Sequence, residues 1–180
     1  MISQTQKHIR HLAYQKTNPF GPLAYDHIYH TVRYAQKMAR ATGANREIVT
    51  LAAWFHDVGS LLGDYQNHHR SGAAYAAKYL NQLKYPPTKI KQIEHCILAH
   101  RGSLKIARRT LEAKCVADAD AMSHFADYKL LFHVAKQFGE IGPAANRFVL
   151  AKLDRSYNKL TPAARRIIRP RYQKIKSVLK

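Results

Sequence analysis

His56 and Asp57 stand side by side at the end of the apolar run Leu51-Ala52-Ala53-Trp54-Phe55, with Gly59 two residues further on. A helix that is apolar on nearly every side belongs in a core, and charge placed there is costly unless it is paired or bound to a metal. Neutral imidazole beside carboxylate is an ordinary ligand set for a divalent transition ion. A helix loosened at Gly59 would let two neighbouring side chains converge on one ion. The dipeptide alone reads equally as a plain helix end, with the imidazole capping carbonyls and the aspartate in solvent, so the decision rests on the other segments.

Those segments repeat the anomaly. His27 shares an apolar arc with Ile28, Val32, Ala35 and Ala39, and His30 falls at the edge of that arc. His68 and His69 open one predicted helix, His95 and His100 lie in another, and Asp118 and Asp120 sit among Val116, Ala117, Ala119 and Met122. One histidine on an apolar face is more often a core residue with a satisfied hydrogen bond than a ligand. Recurrence across five helices argues instead for one shared site. Asp118 and Asp120, two positions apart on a helix, point about 200° away from each other, so both do not easily serve the same ion.

Helices must position these groups. Asp26 reads as an N-cap and Gly43 as a stop, and a second helix spans about Arg46 to Asp57. A loop containing Gly63 and Asp64 leads to a helix from about His68 to Leu83. Tyr85-Pro86-Pro87-Thr88 breaks the chain, and Ile90, Ile93, Ile97 and His100 mark a helix ended by Gly102. Leu111 to Phe138 reads as one long helix, Thr161-Pro162 starts another as cap and first residue, and Pro170 breaks that one. No run alternates as a strand does, so the fold class is all-α. Residues 1–145 read as the helical domain that holds the candidate groups, and 146–180 as a basic helical extension packed on it or trailing from it.

The chain has 180 residues, 30 basic against 11 acidic, for a net charge of +19. Such an excess favours anionic partners. From Asn146 onward there are eleven Lys or Arg against one acid, Asp154. That tail suits phosphate-rich ligands or nucleic acid, although no aromatic residues interleave as in single-strand binders. Cys96 and Cys115 read as reduced core thiols. No stretch approaches the length of a membrane span and the start lacks a signal-peptide run, so a cytoplasmic location and no membrane partner are expected. Oligomeric state is not legible.

The spacing from His27 through Tyr34, Ala35, Met38, Ala39, Gly43, Leu51, Ala52 and Ala53 to His56-Asp57 resembles that of the HD-domain superfamily of metal-dependent phosphohydrolases. YPPTKIKQIEHCILAHRGS is similar to the family's later histidine-bearing helix, and LEAKCVADADAMSH to its last ligand helix. The resemblance runs from about His27 to Ser123 and implies a single helical HD-type domain. It implies His27, His56, Asp57 and Asp120 as ligands of one divalent metal, with Asp120 matched ahead of Asp118 and His27 ahead of His30. Ala121 stands where the family often carries an arginine.

Mixed imidazole and carboxylate ligands suit Mn, Fe, Co, Ni or Zn, and a second metal is compatible with the surplus of histidines. The implied reaction is hydrolysis of a small phosphorylated substrate, with a nucleotide expected, through metal-activated water. His68 and His100 are the expected catalytic groups, as proton donors to the leaving oxygen, as supports for the ligands, or as ligands of that second ion. Arg70 and Arg101 are the expected holders of substrate phosphate. The basic tail is expected to assist capture without taking part in the chemistry. Two rival readings are a di-iron oxygenase of HD type and a binding module, in which a structural metal site accompanies a tail that engages nucleic acid or an acidic partner.

Overall fold

Asn45 opens the helix on which the others pack. Its side chain accepts from the backbone N–H of Glu47 at 3.1 Å and of Ile48 at 3.2 Å, satisfying two donors that a helix start leaves free. The computed structural model describes residues 1–102, 104 and 106–179. Ser103 and Lys105, in the 103–110 loop, and Lys180, the last basic residue of the tail, lie outside the described residues. Ten helices and no strand occur among the described residues: α1 (Ile2–Ala13), α2 (Leu23–Thr42), α3 (Arg46–Phe55), α4 (Val58–Leu61), α5 (His68–Gln82), α6 (Pro87–His100), α7 (Leu111–Ala126), α8 (Lys129–Gln137), α9 (Gly142–Asn158) and α10 (Pro162–Leu179). None of these helices is long and apolar enough to cross a membrane.

Two helices are dry nearly all round. In α3 every residue from Ile48 to Phe55 is buried, and at about 1.5–3 kcal/mol for each large apolar side chain removed from water this holds the helix firmly in place. In α7 everything from Cys115 to Phe125 is buried, because α2, α3 and α6 pack against it together with α9 and α10. The candidate residues therefore project from rigid elements. Two ties fix the register of these elements at their N-terminal ends: Glu47 pairs with Lys89 of α6 at 2.6 Å, and Glu112 of α7 accepts from the Asn45 N–H at 2.9 Å.

Several sequence expectations are corrected. The first long helix begins at Leu23, so Asp26 lies in its first turn instead of capping it; Gly43 closes it in the left-handed conformation, φ 77°, as expected of a C-terminal glycine. The helix bearing the His-Asp pair stops at Phe55, and the backbone turns at Asp57 (φ −111°, ψ 12°) into α4. Gly59 is no stop, since it lies inside α4. A Cβ there would stand 2.7 Å from both Cα and O of His68 and 2.4 Å from Ser71 Oγ, so the glycine permits the start of α5 to lie directly on α4.

The stretch from Leu111 to Phe138 is two helices. Asp127 accepts from the Lys129 N–H at 3.1 Å, a local turn that competes with helix continuation. The Arg171 guanidinium takes the freed carbonyls of Phe125 and Ala126. Pro170 does not break α10, which continues to Leu179. Buried Ile168 and Ile175 on either side of the proline, with Arg171 anchored on α7, hold the helix against the loss of one backbone hydrogen bond. Val149, Leu153, Ala164 and Ile168 join the same hydrophobic core as α2, α3 and α7.

Candidate metal centre

Each histidine of the cluster is fixed by a hydrogen bond on the side away from its neighbours. The Nδ1–H groups of His56, His68 and His100 donate to the carbonyls of Ala53 (2.8 Å), Tyr65 (2.7 Å) and Ile97 (2.5 Å), each three residues earlier. His27 Nδ1 lies 3.0 Å from Ser123 Oγ, and the Ser123 hydroxyl donates to the Asp120 carbonyl at 2.6 Å, which makes His27 Nδ1 the donor. On this network all four rings carry their proton on Nδ1 and turn an Nε2 lone pair inward.

The inward nitrogens meet in two pairs. His27 Nε2 lies 3.2 Å from His56 Nε2, and His68 Nε2 lies 3.2 Å from His100 Nε2. Two acceptors at that distance repel unless a cation joins them. A proton is a poor candidate: burial, above all, lowers the pKa of His56 and drives that of His100 down to about 3. A metal ion held at these nitrogens would satisfy the lone pairs.

Asp57 stands between the pairs. Its Oδ2 is 3.3 Å from His27 Nε2 and 3.5 Å from His56 Nε2, while its Oδ1 is 3.5 Å from His68 Nε2 and 3.9 Å from His100 Nε2. Burial pushes its carboxyl up, but the imidazoles of His56, His27 and His68, when protonated, outweigh burial and hold it well below the usual range. Asp120 Oδ1 lies 3.6 Å from His27 Nε2 and 3.9 Å from His124 Nε2, and its Oδ2 lies 3.4 Å from Lys159 Nζ. Burial again acts upward, and Lys159 with His124 and other neighbours reverses it. Among the described residues, three overlapping groups have the proximity to hold an ion: His27–His56–Asp57, Asp57–His68–His100 and His27–Asp120–His124. Their mix of imidazole and carboxylate fits a divalent transition metal.

The sequence candidates thus fall into three classes. His27, His56, Asp57 and Asp120 are together. His68 and His100 are beside them, with their Nε2 atoms on Asp57, an arrangement suited to ligation more than to proton donation. Arg101 lines the cavity above the cluster and donates to the Gln66 carbonyl. Arg70 is exposed and is not part of that lining, because His68 and His69 occupy the inward face of α5. Asp118 points the other way, accepting from the Thr161 N–H at 3.0 Å and from its hydroxyl at 2.5 Å. His30 packs edge-on against Tyr29, and His95 accepts from the Arg109 N–H at 3.3 Å.

Other residues of this site were missed. His124 follows Asp120 by four positions, hence shares its helical face, and its Nδ1 lies 3.1 Å from Ser156 Oγ. The cavity, about 810 Å³, is also lined by Lys152, Arg155 and Lys159. Lys152 and Arg155 lie on α9 and Lys159 caps its C-terminal end; the three recur at i, i+3 and i+7, one face of a helix, and that spacing was a usable signal. The basic tail, expected to assist capture without taking part in the chemistry, thus lines the cavity, since α9 packs against α7 and brings Lys159 onto Asp120.

An all-α domain brings histidines and aspartates from α2, the α3–α4 turn, α5, α6 and α7 around one carboxylate, a set of groups that could hold a metal ion. Residues 24–124 match the model of the HD domain, and the chain belongs to that family. Solved structures share the fold. An HD-superfamily hydrolase from Bacillus thuringiensis is 20% identical with a TM-score of 0.73, the match covering 99% of this chain and 92% of that one. One described as a predicted HD-superfamily hydrolase, from an uncultured Thermotogales bacterium, is 18% identical with a TM-score of 0.68 over 98% of this chain and 88% of that one. A protein of Listeria innocua is 16% identical with a TM-score of 0.73 over 99% and 91%. The sequence has no significant match among curated proteins.

Proposed function

We propose that the protein is a metal-dependent phosphohydrolase for a small phosphorylated substrate, a nucleotide being the first choice, and that its centre takes two divalent ions. The observation that carries the reading is the Asp57 carboxylate with one oxygen toward His27 and His56 and the other toward His68 and His100. When bound, such ions supply Lewis acidity toward phosphate oxygen and an acidified water. His27, His56, Asp57 and Asp120 would hold the first, and Asp57, His68 and His100 the second.

The rest of the site suits an anion. Lys152, Arg155, Lys159 and Arg101 line the cavity over the cluster, so a phosphate lying there meets donors that carry charge. Lys159 bridges the two functions by orienting Asp120 while keeping a positive charge beside the substrate. Burial lowers the pKa of Lys152 first of all, the mark of an ammonium that loses water and gains from an anionic partner.

The test is phosphate release from a nucleotide panel by protein loaded in turn with Mn, Fe, Co, Ni and Zn. Release with at least one ion, abolished by a chelator and restored by that ion, is the expected outcome. The second histidine group also suits a di-iron oxygenase, which would show instead an iron-dependent colour and oxygen consumption without phosphate release. Tight binding of RNA or DNA with no turnover would favour the binding module.

A further inference from the structure

His27 belongs to two of the candidate groups, and its chemistry allows it only one ion. With the Nδ1–H directed at Ser123 Oγ, a single in-plane lone pair remains, on Nε2. That nitrogen lies 3.2 Å from His56 Nε2 and 3.6 Å from Asp120 Oδ1. The His27 ring contacts those of His56 and His124 alike, its centroid 5.3 Å from each. One lone pair serves one ion, so His27–His56–Asp57 and His27–Asp120–His124 are parts of a single ligand shell. His124 comes with it.

We infer that His124 is a fifth protein ligand of the first ion, through Nε2, and that Ser156 of α9 holds its ring for that role. This rests on the metal-centre reading above and adds to its ligand set. Asp120 divides its oxygens: Oδ2 goes to Lys159 Nζ at 3.4 Å, while Oδ1 faces His27 Nε2 and, at 3.9 Å, His124 Nε2. At 3.9 Å imidazole and carboxylate are too far apart for a hydrogen bond; the spacing suits two donors that flank a cation. The His124 side chain is only 9% exposed, so an Nε2 left without a partner there is costly. Ser156, itself buried, sets its Oγ 3.1 Å from His124 Nδ1. The other four rings follow the same pattern, Nδ1 held by an oxygen and Nε2 turned to the centre. Ser156 lies beyond residues 24–124 that match the HD domain, so α9 contributes to the metal shell by holding a ligand as well as by its charge.

The experiment is proton NMR of the full chain loaded with cobalt(II). An imidazole bound through Nε2 then shows its Nδ1–H as one strongly shifted signal that disappears in deuterium oxide, and nitrogen-15 labelling of histidine assigns it. With two ions bound, five such signals are expected, one each from His27, His56, His68, His100 and His124. With His68→Ala and His100→Ala, which leave the first ion, three are expected. His124→Gln should remove one signal in either background and weaken the first ion about tenfold or more, the scale for losing a group that shapes a metal shell. Ser156→Ala should speed the exchange of that same signal with water and leave the others as they are. The count in the natural sequence needs no variant, so it decides even where His124→Gln does not fold. Four signals with two ions bound, two with one, or a count unchanged in His124→Gln, would overturn the inference. A protein that takes a single ion and shows three signals keeps the inference and loses the second ion. Five signals in a protein that releases phosphate from no nucleotide keep the inference and lose the reaction proposed above. Phosphate release with four signals loses only the inference, and failure to bind cobalt loses both.

Discussion

Asp57 and Asp118 are both aspartates in apolar helical surroundings, and what separates them is the partner each finds. Asp57 faces four imidazole nitrogens; Asp118 faces the N–H and hydroxyl of Thr161 and so ties α7 to the start of α10. Asp57→Asn should therefore strip metal from both histidine groups. Asp118→Asn should leave metal content intact and lower stability by about 1–3 kcal/mol, the cost of a compromised buried hydrogen-bond pair. Metal analysis with thermal unfolding of the two variants distinguishes these outcomes, and metal loss in Asp118→Asn would place the centre wrongly. The neutral imidazoles also set a pH dependence. An unfolded chain protonates histidine near the usual value of 6.5, whereas folded His100 resists until about 3, and His56 and His124 shift in the same direction. Between those limits the unfolded state binds more protons, so the stability of metal-free protein should fall as pH drops from about 6.5 toward 3. At about 1.4 kcal/mol per unit, His100 alone corresponds to several kcal/mol across that window. A melting temperature of metal-free protein that stays flat across it would contradict the burial argument.

At the scale of elements, two glycines let three helices share one site. Gly59 admits the His68 backbone onto α4, and a Cβ on Gly72 would lie 3.3 Å from the Phe55 carbonyl and 3.4 Å from that of His56. Gly59→Ala should push the start of α5 away, cost about 1–3 kcal/mol through overpacking, and weaken metal binding at Asp57–His68–His100 more than at His27–His56–Asp57. Metal titration of that variant reads the difference, and equal weakening at both groups would argue against it. Much of this architecture was legible, for residue-specific reasons. His27 announced itself because it breaks an apolar arc, and the angle between Asp118 and Asp120 showed that only one of them could join it. The break at Asp127 was hidden, because a short turn held by one aspartate leaves no proline or glycine behind. The position of His68 and His100 beside Asp57 was hidden as well, since it depends on how α5 and α6 cross. The tail was read as basic and suited to anions, but the facing of Lys152 and Lys159 into the cavity depends on the packing of α9 on α7.

On the scale of the whole molecule, the basic C-terminal part belongs to the hydrophobic core. Cutting the chain after Gly142 removes Val149, Leu153, Leu160 and Ile168, each buried. At about 1.5–3 kcal/mol apiece that loss is comparable to the 5–15 kcal/mol by which whole domains are stable. The truncated chain should accordingly lose its cooperative melting transition, and a truncated protein that folds and turns over substrate would show that α9 and α10 are dispensable. The remaining tail charge still raises the local concentration of anions, an effect that salt should weaken over a screening distance of about 8 Å at physiological ionic strength. What organises all of this is the carboxylate shared by two histidine pairs, and native mass spectrometry of manganese-loaded protein addresses it most directly. The prediction is two ions per chain in the natural sequence, one in His68→Ala with His100→Ala, and none in Asp57→Ala. Two ions retained by Asp57→Ala, or none bound by the natural sequence, would contradict the account.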